Sequence, residues 1–543
     1  MSAKEVEKES KSTSSTSASF FVAAGIFLSR ISGLIREAVF SFFFGTSLYA
    51  DAFRAALRMP NALQNLLGEG TLSASFIPVY SELLEEGRHE DAGRLAGAIF
   101  LLLFILASLL VLVGILMAPL LVTLFTPGFT DERREVTISL VRILFPMTGF
   151  LVLYAWTLGI LNSHRKFFLS YVAPVLWNGA IIATMVFFGS SLEQDALVIA
   201  LGWGALIGGF LQFGIQIPWV LRLEKNLVFR FARAMKERAE VIRNAIPAVL
   251  GRGVVQLSGY LDMILASLLA IGGVAAIAYA QTLYMLPVSL FGMSVAAAEL
   301  PELSRQRKEG AEILVNRTNE ALRRMAFYVV PSFFGFIALG EVIVGALYQR
   351  GQFGDAQTTL VAATLGAYGL ALLATTATRL FNSTFFALRD TKTPAKVATL
   401  RVFLAAGLGF FFMVQFEAVT LFGITVGPGY FSDLSVNDGD RTLFFGAVGL
   451  ALGSALAAWV EWFLLRYKLH KTLGPVGTGT RALLPLFAAS LLATAAAWGI
   501  RFLLPTLHPI FEAAAVLGTF GVVYFPVAAL LGVKEARRWL RLS

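Results

Sequence analysis

Residues 96–122 read AGAIFLLLFILASLLVLVGILMAPLLV, 27 positions in a row without a charged side chain. A helix rises about 1.5 Å per residue, so this run outlasts the roughly 30 Å hydrocarbon core of a bilayer. Backbone polar groups in lipid must be satisfied within the segment, and for a run this long the helix does that. The same reading extended along the chain gives about 14 spans: 19–43, 49–81, 94–122, 136–161, 168–189, 196–221, 242–270, 273–302, 325–346, 357–387, 395–415, 442–465, 482–504 and 510–533. The expected fold class is therefore an all-α polytopic membrane protein.

Composition agrees. The 543 residues are 57% hydrophobic and 15% charged, against about 25% charged in soluble domains, and the mean hydropathy is +0.72. Too little polar surface is available to cover soluble cores. With no cysteine, thiol nucleophiles, disulfides and Cys-ligated zinc are excluded. The histidines, His89, His164, His470 and His508, are too scattered for a HExxH site, and no GxxxxGK[ST] loop occurs. Nothing resembles a nucleophile–base pair, so an enzyme is not expected.

An even number of spans places both termini on one side. The tail, the loops after the even spans and the C-terminus hold about 31 Lys and Arg; the opposite loops hold only Arg133, Arg134, Arg350 and Arg441. The richer side is expected to be cytoplasmic. The net charge of +9 then reflects cytoplasmic loops rather than nucleic-acid binding. Residues 1–17 are polar, Ser/Lys-rich and lack a secretory signal pattern, and are expected to be a disordered cytoplasmic tail. The basic stretches 222–243 and 303–324 are expected to lie on the inner membrane surface.

Three landmarks recur in order. Pro78 in SASFIPVYSE and Pro301 in AAELPELSR differ by 223, as do Leu124 in LFTPGFTD and Leu347 in LYQRGQFGD; Pro174 and Pro394 differ by 220. An offset of six spans preserves orientation, so the repeats are related by an axis along the membrane normal. The organisation read from this is an N-lobe at 18–222 (spans 1–6), an amphipathic linker at 223–241, a C-lobe at 242–466 (spans 7–12), and spans 13–14 with the C-terminal tail at 467–543. Two pseudo-symmetric lobes predict a cavity between them and alternating access.

Charges inside the membrane cost about 2.5–3.5 kcal/mol each even on the lenient insertion scale, which makes them functional candidates. Span 1 carries Arg30, Arg36 and Glu37; Arg30 and Glu37, seven apart, share a helix face. In span 2, Asp51, Arg54, Arg58, Asn61, Asn65 and Glu69 fall on one helical stripe, with a kink expected at Pro60. Two readings apply: ion pairs that hold spans 1 and 2 together, or a water-filled cavity. Arginines outnumber acids here, and the guanidinium fork suits phosphate oxygens, so an anionic, phosphate-bearing substrate is expected. Span 7 adds Arg252, at Arg30 + 222, and Asp262, a candidate for a coupling ion or proton. Glu299, at the position equivalent to Phe76, is expected at the interface. Arg379, in span 10, is expected to bind a backbone carbonyl or pair with an acid.

SRISGLIREAVFSFFFG (29–45), DAFRAALRMPN (51–61) and EGTLSASFIPVYSE (69–82) resemble the MurJ (MviN) family, as do TPGF, ILNSHRKF, APVLWN, IGGFLQFGIQIP, LYQRGQF and ALRDTKTPAK. These motifs span residues 29–400. The resemblance extends to the multidrug/oligosaccharidyl-lipid/polysaccharide exporter superfamily. It implies a flippase carrying lipid II, the undecaprenyl-pyrophosphate-linked peptidoglycan precursor, to the outer leaflet of the bacterial cytoplasmic membrane. It also implies substrate-binding roles for Arg30, Arg36, Glu37, Asp51, Arg58 and Glu69. Where the family carries arginine, Gln64 and Thr282 stand here, and Arg54 and Arg252 are expected to restore the charge. Asp262 matches one ligand of a sodium site found in some members, while span 11 offers no Asp or Asn. The expected partners are a lipid-linked oligosaccharide and membrane lipids, with cell-wall synthesis enzymes as candidates; a monomer is expected. No cofactor is expected beyond a candidate monovalent cation. The alternatives are a transporter of another polyprenyl-linked oligosaccharide, a multidrug-type exporter, and a scaffold for envelope enzymes. The arginine excess disfavours a cationic cargo, and a scaffold has no need of intramembrane charge.

Overall fold

The computed structural model describes the backbone of residues 3–230, 236–421, 424–439, 441–505 and 507–540; side chains of 3–23, 62, 69, 248, 250–258, 421 and 480 are also outside the described residues. Contacts divide the chain into two units, residues 1–264 and 265–543. The division falls within a helix, later than the linker at 223–241, so most of span 7 packs with the first unit.

The first unit holds α1 (Ala3–Phe44), α2 (Leu48–Leu67), α3 (Glu69–Glu85), α4 (His89–Leu116), α5 (Ala118–Phe125), α6 (Asp131–Ser163), α7 (Phe167–Val172), α8 (Pro174–Phe188), α9 (Gln194–Gly214), α10 (Ile217–Leu223) and most of α11 (Lys236–Ser267). The backbone of 3–17, expected as a disordered tail, runs on into α1. Span 2 breaks at Gly68 rather than at Pro60, which sits inside α2. A Cβ at Gly68 would lie 2.1 Å from the Gln64 carbonyl oxygen, so only glycine permits this break without a shift. The core gathers Phe76, Tyr80, Leu95, Ile99, Trp156 and Leu161 from α3, α4 and α6. Its cytoplasm-side edge, by the charge reading, carries a polar knot. The Tyr80 hydroxyl donates to Glu224 Oε2 (2.8 Å) and meets His164 Nε2 at 3.1 Å. Burial holds the His164 imidazole below its usual range, against the opposing pull of Glu224. Arg88 bridges Glu86, Asp91 and Glu237, tying the start of α11 to the α3–α4 turn.

The second unit holds α12 (Gly273–Pro287), a π-helical turn (Val288–Met293), α13 (Ser294–Gln306), α14 (Ala311–Ala338), α15 (Gly340–Tyr348), α16 (Asp355–Gly369), α17 (Leu372–Ala387), α18 (Lys392–Phe416), α19 (Gly446–Leu473), α20 (Thr480–Leu503), α21 (Pro509–Leu530) and α22 (Lys534–Trp539). The stretch 303–324, expected as a surface segment, is the end of α13 and the first half of α14. Two antiparallel hairpins, β1 (Val419–Leu421) with β2 (Ile424–Val426) and β3 (Ser435–Asp438) with β4 (Arg441–Phe444), fill the connection from α18 to α19. These two helices meet through glycine: a Cβ at Gly453 would lie 2.2 Å from the Gly409 nitrogen.

The repeat is visible in the element order. The helix starts at His89 and Ala311 differ by 222, those at Ala118 and Gly340 by 222, and those at Asp131 and Asp355 by 224. Among the described residues, ten helices are long and apolar enough to cross a membrane, eleven if the bent pair α16–α17 counts as one span. The expected count of 14 is not reached on that criterion. The spans falling short are 1, 2 and 7 (α1, α2–α3 and α11), which carry most of the charged residues singled out in the sequence.

Candidate functional site

Spans 1 and 2 put their charges into two different environments. Glu37 on α1 is buried, and its carboxylate takes Arg36 Nη2 at 2.6 Å and both terminal nitrogens of Arg54, one at 3.1 Å. Arg54 lies over the Phe40 ring at 4.4 Å. Arg36 also donates to Asn178 Oδ1 (3.0 Å) and lies over Trp177 at 4.8 Å; Asn178 in turn donates to Ser32 Oγ at 2.8 Å. One carboxylate thus anchors two guanidiniums, and α8 supplies the amide and ring that fix the second. The face shared by Arg30 and Glu37 does not bring them together as a pair: Arg36 and Arg54 occupy the carboxylate.

Asp51, at the start of α2, is fully buried and takes Arg133 Nη2 at 2.7 Å. Arg133 comes from the first turn of α6, and its guanidinium lies 3.7 Å from the Phe129 ring centroid in the TPGF turn. The N-terminal half of the span 2 stripe is therefore taken up by ion pairs.

The C-terminal half of span 2 and the residues facing it differ. Arg30 is exposed and lines a cavity of about 470 Å³ within the first unit, with Asn61, Gln64, Tyr154, Trp177 and Gln212. Arg58, half-buried, lies against α11: a Cβ at Gly259 would sit 3.5 Å from its Nη2, and Tyr260 donates to the neighbouring Met59 carbonyl at 2.9 Å. Asn65 is exposed. Glu69 opens α3 and Arg252 lies on α11, but both side chains are outside the described residues. Asp262 is exposed on α11. α18 carries no Asp or Asn, and among the described residues no group of three His, Asp or Glu could hold a metal.

Three contributors escaped the sequence reading. Arg133 was counted as a loop charge, and Asn178 and Trp177 stood only in the APVLWN motif. In the second unit, Arg401 Nη1 bonds buried Glu461 at 2.9 Å, and Glu299 is buried between Arg317 (2.7 Å) and Arg324 (2.8 Å). Arg379 makes no ion pair or hydrogen bond among the described residues, contrary to expectation.

Chemically, the site offers permanent cations held at fixed places, some by buried carboxylates and some open to a cavity. That arrangement holds an anion without consuming it. A family profile described as lipid II flippase MurJ matches residues 40–427. The chain is 32% identical to a probable lipid II flippase MurJ of Rhizobium tropici, over 70% of this chain and 72% of that protein. It is 31% identical to the probable lipid II flippase MurJ of Rhizobium meliloti (strain 1021), over 80% and 77%. It also resembles the solved structure of a lipid II flippase MurJ in an inward closed conformation, with TM-score 0.75 and 24% identity over 96% of this chain and 99% of that one. An inward-facing multidrug resistance MATE family transporter of the MOP superfamily matches at TM-score 0.63 and 18% identity, over 82% and 95%. These two likenesses establish the fold.

Proposed function

The chain belongs to the lipid II flippase MurJ family, and we propose that it translocates lipid II from the inner to the outer leaflet of the bacterial cytoplasmic membrane. The observation that carries this reading is Arg30 opening into a cavity of about 470 Å³ lined by amides and aromatic rings. A guanidinium is permanently charged, and its fork matches the oxygens of a pyrophosphate. The amides of Asn61, Gln64 and Gln212 suit the hydroxyls of a sugar head, while the polyprenyl tail stays in lipid. In this reading Arg30 and Arg58 contact the head group. Glu37 positions Arg36 and Arg54, and the Asp51–Arg133 pair holds α2 to α6. Exposure of the site alternates between the two leaflets, and both termini are cytoplasmic. Asp262 is the coupling residue; with no Asp or Asn on α18, a proton suits its carboxylate better than a sodium ion.

The test is rescue. A bacterium depleted of its own lipid II flippase should grow and keep its shape when this chain is supplied, and should lyse with the Arg30→Ala variant at equal protein level. Lysis with the unaltered chain, correctly inserted, would contradict the reading and favour another polyprenyl-linked cargo.

A further inference from the structure

Arg379 sits on α17 in an unusual setting. Thr375, Arg379, Asn382 and Ser383 recur at spacings of three and four and so share one face of the helix. Two of these make packing bonds: Thr375 Oγ1 accepts from the Tyr284 hydroxyl on α12 (2.8 Å), and Ser383 donates to the Ala296 carbonyl (3.0 Å). Arg379 is exposed and makes no ion pair or hydrogen bond among the described residues. Asn382, one turn on, has a buried Oδ1 without a hydrogen-bond partner.

Depth makes this significant. Eight residues separate Arg379 from Ala387, the end of α17, which is about 12 Å of helix. The side chain cannot easily snorkel that distance to the headgroups. Arg401 meets the same problem on α18 and solves it with Glu461 at 2.9 Å. Among the described residues Arg379 has no such counter-charge within ion-pair distance, and a guanidinium does not escape by losing its proton. It therefore needs water, an anion, or both.

We propose that Arg379 is an anion-binding group of the second unit, taking a phosphate oxygen of the pyrophosphate-linked head group, with Asn382 available to a neighbouring hydroxyl. The identity of the ligand rests on the flippase reading. The presence of an anion site does not.

The experiment uses the purified full chain in nanodiscs. Lipid II binding is compared for the wild type, Arg379→Gln and Arg379→Lys, each checked for an unchanged melting temperature. In parallel, Arg379→Cys in this cysteine-free chain is exposed to a negatively charged, membrane-impermeant thiol reagent. Arg379→Gln should bind about tenfold more weakly or worse, with Arg379→Lys intermediate. The thiol should react, because water reaches this position. Wild-type affinity in Arg379→Gln, or a thiol that never reacts, would overturn the proposal. If the wild type binds no lipid II, the flippase reading fails by itself. Inorganic pyrophosphate then decides the anion site: binding to the wild type that Arg379→Gln weakens supports it, and equal binding by the two overturns it.

Discussion

Replacing Glu37 with glutamine should destabilise the first unit while leaving its shape almost unchanged. The substitution keeps the side chain's volume and one acceptor oxygen but removes the negative charge. Two guanidiniums, Arg36 and Arg54, then share a buried setting without their counter-ion. Removing one partner of a buried ion pair typically costs about 3–5 kcal/mol, because the remaining charge stays desolvated. Here Arg36 keeps Asn178 and Trp177, whereas Arg54 gives both terminal nitrogens to the Glu37 carboxylate, so most of the loss should fall on Arg54. At about 2 °C per kcal/mol for a unit of this size, the melting temperature should drop by about 6–10 °C. Thermal unfolding in detergent measures this, with lipid II transport followed in the same preparation. A double-mutant cycle sharpens it: Glu37→Gln with Arg54→Gln should recover part of the lost stability, since one uncompensated cation is gone. A melting temperature within about 1 °C of wild type for Glu37→Gln, together with normal transport, would refute the claim that this carboxylate anchors the site.

Three further outcomes follow from the same geometry. Arg30→Ala should abolish transport with the melting temperature unchanged, because the side chain lines the cavity and is exposed; a matched loss of folding would contradict its placement. Asp51→Asn should lower stability by about 3–5 kcal/mol by leaving Arg133 buried opposite a neutral group, read as reduced protein level and melting temperature. His164 is held neutral by burial, so the unfolded chain binds the proton first: stability should fall as pH drops below about 6.5, and His164→Gln should flatten that dependence in melts taken from pH 8 to 5.

How much of this was legible in the sequence depends on which physical level each feature occupies. The spans follow from hydropathy and length, and the repeat from spacing, so both could be read directly; the helix starts recur at the offsets the prolines and leucines indicated. Which charges would be intramembrane was also plain. Which would pair was not. Helical periodicity places Arg30 and Glu37 on one face, but the partner of a carboxylate is set by the rotation and approach of neighbouring helices, and α2 brings Arg54 to Glu37 while Arg30 faces the cavity. Arg133 looked like a loop residue because it sits two positions after the start of α6, yet the TPGF turn folds it onto Asp51. The break in span 2 was assigned to Pro60, whose lost hydrogen bond α2 absorbs; Gly68 supplies the backbone that no other residue accommodates. The hairpins between α18 and α19 do carry a signal, β-branched residues at 419–420 and 424–426 and the Asp438-Gly439 turn pair, but each strand is only three or four residues long and a reading built on helical spans passes over it.

In the proposed function, cationic side chains opening into the first unit's cavity are what move lipid II. The most direct measurement reconstitutes the purified chain in vesicles with labelled lipid II and follows how much becomes accessible to a reagent confined to the opposite face. Wild-type vesicles should expose lipid II faster than protein-free ones, and Arg30→Ala vesicles should match the protein-free rate at equal protein content. Equal exposure with and without the wild-type chain, or undiminished exposure with Arg30→Ala, would contradict it.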